Sequence, residues 1–166
     1  NAYIIIYSVV MVVIVAVLLA VTSLSLQERQ GENMLNEKKQ QIVKALGEDP
    51  MTAVYADVVA EAVMLNADGQ AIEGKSDADV FNALGDLTAS FQANEYPVFK
   101  AANGCVVIPV YGAGLWGPIW GYVALEPDMN TIKGIVMDHS GETPGLGAEI
   151  TTAKVQDMFK GKTIFE

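Results

Sequence analysis

Hydrophobic and polar positions divide the chain sharply into two parts. From Tyr3 to Leu26 the run YIIIYSVVMVVIVAVLLAVTSLSL is almost wholly apolar, and residues 1–26 hold no Asp, Glu, Lys, Arg or His. As a helix it spans roughly 36 Å, more than the roughly 30 Å hydrocarbon core of a bilayer. A buried core helix is shorter and carries a polar stripe. A signal peptide has a shorter apolar region and a small-residue cleavage site, which AVTSLSL matches poorly. The run therefore predicts a retained transmembrane anchor over residues 1–28.

Beyond it the pattern turns periodic. In QERQGENMLNEKKQQIVKALGED, the residues Met34, Leu35, Ile42, Val43 and Leu46 recur at helical spacing, and Gly47 stands where a helix would end. Charges occupy the other face. This predicts a helical stalk over residues 29–50, with too few apolar heptads for a self-sufficient coiled coil.

Residues 51–166 read as a separate domain. DVVAEAVMLNADGQAIEG has the pattern of a strand, a turn at Asp68-Gly69 and a second short strand. DADVFNALGDLTASFQANEYP is mixed and polar, a loop with a short helix. The β-branched and aromatic run YPVFKAANGCVVIPVYGAGLWGPIWGYVALEPD, broken at Asn103-Gly104 and at its Gly-rich centre, predicts successive antiparallel strands, and IKGIVMDH another. TTAKVQDMFKGK predicts a short amphipathic helix with Val155, Met158 and Phe159 facing inward. Strands in sequence with helices at the ends give an α+β class built on an antiparallel sheet.

Composition narrows the chemistry. The 166 residues carry a formal net charge of −10, all of it outside the apolar run, and no basic cluster, which argues against nucleic acid. The single cysteine, Cys105, excludes an intrachain disulfide and a multi-cysteine metal site; its surroundings, GCVVIPV, read as a strand with a buried inert thiol. The single histidine, His139, has no carboxylates at ligand spacing, so no metal site is expected. With one histidine and scattered carboxylates no catalytic constellation can be assembled. Any redox chemistry must come from a bound cofactor.

Two loops stand out. Gly112, Gly114 and Gly117 in GAGLWG satisfy the letter of the dinucleotide fingerprint, but that loop must open a helix, and PIWGYVAL follows instead. What is left is a glycine-rich turn presenting Leu115 and Trp116, either packed or lining a pocket for an aromatic ligand. In HSGETPGLGAEI, Pro144 and Gly145 fill the central positions of a type II turn, and Thr143 and the turn amides can donate hydrogen bonds to an anion or to ring carbonyls, helped by the dipole of a following helix. Glu142 beside a phosphate would be repulsive, which favours a cofactor's neutral portion or backbone amides as its neighbours. On these residues alone a plain turn ahead of a helix is the favoured reading.

The anchor, the stalk, GAGLWGPIWGYVALEPDMNTIKGIV and HSGETPGLGAEI, in this order, resemble the C subunit of the bacterial sodium-translocating NADH:quinone oxidoreductase, over nearly the whole chain. The related G subunit of the Rnf electron-transport complex shares the ETPGLG-like loop and is the alternative, together with a cofactor-free anchored interaction domain. The resemblance implies a single-pass protein of the bacterial inner membrane with a periplasmic FMN-binding domain. It implies an electron-carrier subunit of an NADH:ubiquinone reductase complex, not catalytic alone. The contacts it carries over to the flavin are Leu115, Trp116, Glu142, Thr143, Gly145 and Leu146. It further implies FMN joined through its phosphate to a threonine, a flavin transferase for maturation, and other membrane subunits as partners. The family's attachment threonine lies in an Asp-x-x-Ser-Gly-Ala-Thr type motif downstream. SGET at Ser140–Thr143 imitates it, but Asp138 is one residue too close to Ser140, so Thr143 is expected as a contact and the ester beyond Glu166, with the domain C-terminally incomplete at that residue. The apolar helix carries no ionisable group, so ion transport is expected in partner subunits.

Overall fold

A computed structural model describes residues 2–165. The chain splits into two compact units, residues 1–37 and 38–166. The first unit is helical. Helix α1 (Ala2–Ala45) runs without a break from the apolar segment through the polar one. Its apolar part is long and apolar enough to cross a membrane. Ser8, Thr22 and Ser25 fold their hydroxyls back onto carbonyls three or four residues earlier, so these three polar groups of the apolar segment are satisfied within the helix.

The last turns of α1 belong to the second unit. Ile42, Val43, Ala45 and Leu46 are fully buried there. The helix stops where its sequence indicates. Gly47 sits at φ +84°, its N–H donates to the Lys44 carbonyl, and the Glu48 N–H donates to the Val43 carbonyl. Those two bonds make a Schellman end, which needs the left-handed conformation glycine adopts without penalty.

The remainder is α+β, as the pattern implies. A one-turn helix α2 (Tyr55–Val58) leads into β1 (Val59–Leu65), followed by α3 (Asp77–Ala83) and α4 (Leu87–Gln92). Strands β2 (Tyr96–Ala101), β3 (Val106–Ala113), β4 (Pro118–Leu125) and β5 (Ile132–His139) complete one five-stranded antiparallel sheet in the order β1-β2-β3-β4-β5. Each strand pairs with its sequence neighbour, β1 and β2 across the segment that carries α3 and α4. The sheet's prolines respect its ladders. The β2–β3 pairing involves only Phe99↔Val107 and Lys100↔Val106, and Pro97 and Pro109 both lie past its ends. A missing N–H there costs that ladder nothing.

The core gathers α1's last turns with Met64, Val80, Phe99, Val107 and Ala124. Phe81 links Tyr55 and Phe99 through ring contacts at 5.7 and 5.3 Å. Lys39 places its ammonium about equally over Tyr55 and Phe81, 5.5 and 5.6 Å from the ring centroids.

Three expected elements differ. The second strand after Asp68-Gly69 shrinks to an isolated Leu65↔Ala71 bridge, because Asn66 accepts from the N–H groups of Asp68 and Gln70 and closes the turn early. The segment expected to hold one short helix forms two. Ser76 caps α3 in a reciprocal box with Asp79, and Asp86 caps α4 by accepting from the Ala89 N–H. The C-terminal helix is one α-turn, α5 (Ala153–Gln156), which tightens into a 3-10 turn over Asp157–Phe159. That change of pitch rotates the expected face outward. Met158 and Phe159 are exposed, Val155 is half-buried, and Gln156 is the residue that points in, donating to the carbonyls of Met137 and Ile150. After it, residues 161–164 run antiparallel beside the start of β5, with Ile132 N–H donating to the Lys162 carbonyl and Ile164 N–H to that of Asn130.

Cys105 is buried just ahead of β3 rather than within a strand. Its Sγ donates to Glu126 Oε2 at 3.4 Å. Burial, and then that hydrogen bond, push the thiol's pKa up, so it stays protonated and unreactive.

Candidate functional site

The candidate site residues lie on two loops at one end of the sheet. The first is the β3–β4 hairpin connection. The Gly114 N–H donates to the Gly117 carbonyl at 2.8 Å, closing the hairpin and leaving Leu115 and Trp116 at its tip. Strand follows on both sides, so the GxGxxG letters belong to a hairpin and not to a dinucleotide loop. The second loop leaves β5 after His139. It includes the expected type II turn: Gly145 is at φ +76° and the Leu146 N–H donates to the Thr143 carbonyl at 3.1 Å. The helix after the turn is a five-residue 3-10 segment, Gly147–Thr151, too short to add the dipole expected of it.

The loops touch along their backbones. The Ser140 N–H donates to the Pro118 carbonyl at 3.1 Å. A Cβ built on Gly141 would stand 3.4 Å from the Trp116 carbonyl oxygen, and one on Gly117 3.0 Å from Ser140 Oγ. Between the loops lies Glu142, only 8% exposed. Its Oε1 accepts from the Trp116 N–H at 2.9 Å, and its own N–H donates to His139 Nδ1 at 3.2 Å. No cation forms an ion pair with this carboxylate among the described residues. The carboxylate is seated between two glycines. A Cβ on Gly114 would overlap Oε1, and a Cβ on Gly147 would overlap Oε2. Both positions are glycine because Glu142 occupies the space a side chain would need.

The site residues thus divide into two groups. Leu115, Trp116 and Leu146 are 81%, 70% and 73% exposed, and Thr143 and Gly145 are also exposed on the same loop pair. Glu142 is beneath them with Oε1 already engaged. The indole is not packed into the core, so the packed-turn reading of GLW does not hold. Large apolar side chains held at the tips of two pinned loops are what a cover of planar, apolar character requires. Within the described residues no group of His, Cys, Asp and Glu is arranged to hold a metal. His139 is not legible as a site residue, whereas Gly114 and Gly147 stand out in the sequence as loop glycines, Gly147 as one that lets the backbone come close to a neighbour, without showing what they meet. Their signal is the packing of residue 114 and residue 147 against one carboxylate, which no sequence spacing encodes.

Comparison with known proteins bears on what covers these loops. Residues 114–165 match the FMN-binding domain family, and that stretch begins at the first loop and includes the second. The crystal structure of the C subunit of Na(+)-translocating NADH-quinone reductase from Parabacteroides distasonis superposes with a TM-score of 0.75 at 37% identity, covering 84% of this chain and 71% of that one. The chain belongs to this C-subunit family. The Vibrio parahaemolyticus relative of the same name is 28% identical over 91% of the chain and 68% of its own length. Its Chlamydia trachomatis counterpart is 52% identical over 88 residues, 52% of the chain but 28% of the relative's length. The family match makes FMN the cofactor class of the domain. The chain spans under a third of the length of the Chlamydia relatives it matches.

The residues present fit such a ligand. Exposed Leu115, Trp116 and Leu146 offer apolar and aromatic surface to a planar ring system. Thr143, Gly145 and their exposed backbone offer hydrogen-bonding groups, and the Glu142 side chain is buried between the loops.

Proposed function

We propose that the chain is the membrane-anchored flavoprotein subunit of a sodium-pumping NADH:quinone oxidoreductase and relays electrons through covalently bound FMN. The observation that carries this reading is the Glu142-pinned pair of loops, which holds Leu115, Trp116 and Leu146 exposed within the stretch that matches the FMN-binding domain. Bound FMN supplies the electron transfer. The chain's own residues position it. Trp116 and Leu115 cover ring surface and exclude water, Leu146 does so from the second loop, and Thr143 with the amides around Gly145 donates hydrogen bonds to the ring's polar edge. Excluding water and fixing donors are how a protein sets a flavin's potential.

The finer parts of this reading rest on the family resemblance. The flavin is esterified through its phosphate to a threonine outside residues 1–166 by a flavin transferase, and Thr143 is a contact rather than the ester site. The domain is periplasmic on a single-pass anchor of the bacterial inner membrane, beside other membrane subunits that carry the ion path. The test is direct. The full-length protein, produced with a flavin transferase, should show flavin absorption bands and an added FMN mass on a downstream threonine. Flavin found on Thr143 would overturn the attachment site, and a colourless protein would overturn the function.

A further inference from the structure

We propose that Glu142 and His139 are positioning residues. They fix the Leu115–Trp116 loop through the chain His139 Nδ1, Glu142 N–H, Glu142 Oε1 and Trp116 N–H, and Glu142 does this as a hydrogen-bond acceptor and spacer, not as a charge. The proposal deepens the flavin reading above and rests on it for the identity of what the loop faces.

Four observations carry it. Glu142 Oε1 accepts from the Trp116 N–H at 2.9 Å, across a sequence separation of 26 residues, so it ties the tip of the hairpin to the second loop. Its two oxygens fill the spaces over Gly114 and Gly147, so the side chain fixes the distance between the loops as well as their hydrogen bond. His139 Nδ1 accepts from the Glu142 N–H, which orients Glu142 from the end of β5 and requires that nitrogen to be unprotonated. Finally, the carboxylate has no ion-pair partner among the described residues, though it is 8% exposed. A charge valued as a charge is normally paired when buried, whereas an acceptor needs only its donor. The side chains presented by this arrangement, Leu115 and Trp116, are mostly exposed, so burial does little to hold them in place. Their orientation is therefore inherited from the backbone that Glu142 grips.

The test uses the full chain in detergent, with and without flavin, and five forms: wild type, Glu142→Gln, Glu142→Ala, His139→Asn and His139→Ala. Gln keeps an acceptor of the same length, and Asn keeps one close to the position of Nδ1. Amide hydrogen exchange is read at Trp116, and flavin emission and midpoint potential are read on the loaded forms. The expected result is Trp116 exchange about ten- to a hundredfold faster in Glu142→Ala and clearly faster in His139→Ala. Gln and Asn should restore slow exchange, and flavin emission and potential should shift in the same order. A change in melting temperature alone, with Trp116 exchange unmoved, would overturn the proposal, because a merely structural residue would do that. Gln behaving like Ala would also overturn it, by making the charge the active property. If the alanine forms do not fold, the Gln and Asn forms still decide: wild-type exchange supports the proposal and fast exchange overturns it. A wild-type protein without flavin would refute the flavin reading separately, since the exchange pattern needs no flavin.

Discussion

Replacing Gly147 with alanine tests the packing under the site most sharply. Gly147 has no positive φ, so its backbone suits alanine, and in an unobstructed position the change would stabilise by roughly 0.4–1 kcal/mol through the unfolded chain. Here the new methyl would overlap Glu142 Oε2. Either the carboxylate leaves, stranding the Trp116 N–H without its acceptor at a cost of roughly 1–3 kcal/mol, or the loop spreads at an overpacking cost of roughly 1–3 kcal/mol. The net expectation is destabilisation by about 2 kcal/mol, a fall in melting temperature of about 7 °C for a unit of this size. Glu142→Ala removes both oxygens, and the nearest remaining atom is residue 142's own Cβ, at 3.1 Å from the added methyl. In that background Gly147→Ala should cost at most about 0.5 kcal/mol, so the double-mutant cycle should show coupling of roughly 1–2 kcal/mol. Thermal unfolding of the four forms, followed by far-UV circular dichroism, measures it. Additivity within about 0.5 kcal/mol, or a stabilising Gly147→Ala in the wild-type background, would refute the placement of the carboxylate.

Other consequences follow from the same structure. Trp116 is 70% exposed, so Trp116→Ala should change folding stability by no more than about 1 kcal/mol, yet raise flavin emission or shift its potential measurably; equal loss of both would make it a core residue. The Tyr55 hydroxyl is buried without a hydrogen-bond partner among the described residues, so Tyr55→Phe should stabilise by about 1 kcal/mol in thermal melts, and a loss of that size would mean the hydroxyl is satisfied. Burial and the Glu126 hydrogen bond hold Cys105 neutral above the pH at which an unfolded thiol ionises. Across that interval the unfolded chain has released a proton the folded chain keeps, so stability falls as pH rises. Melting temperatures taken from about pH 8 to 10 should fall less steeply in Cys105→Ala, and identical slopes would remove the thiol as a contributor.

Much of this architecture is legible along the chain because it is local. The apolar run, the glycine stop at Gly47 and the Pro144-Gly145 turn each depend on residues a few positions apart, and each forms as its pattern implies. The GAGLWG loop is readable as a hairpin because PIWGYVAL carries strand character where a dinucleotide site needs a helix. What was not legible depends on distance or on pitch. Glu142 reads as a neighbour of backbone amides or of a cofactor's neutral portion, and the Trp116 N–H is such an amide; only the fold brings Gly114 and Gly147 against its two oxygens. Val155, Met158 and Phe159 share one face at 3.6 residues per turn, but the helix tightens after Gln156 and that face dissolves. The polar segment between β1 and β2 conceals two helices because their caps, Ser76 and Asp86, look like ordinary loop residues.

The most direct test of the central claim is a comparison of backbone amide chemical shifts between the flavin-carrying and flavin-free full-length chain. The loop pair held by Glu142 should respond to the flavin first, with the largest changes at Leu115, Trp116, Thr143, Gly145 and Leu146 and only small ones along β1 and α3. Changes centred elsewhere, for example around Lys44, Gly134 and Lys160, with those five amides unmoved, would contradict it.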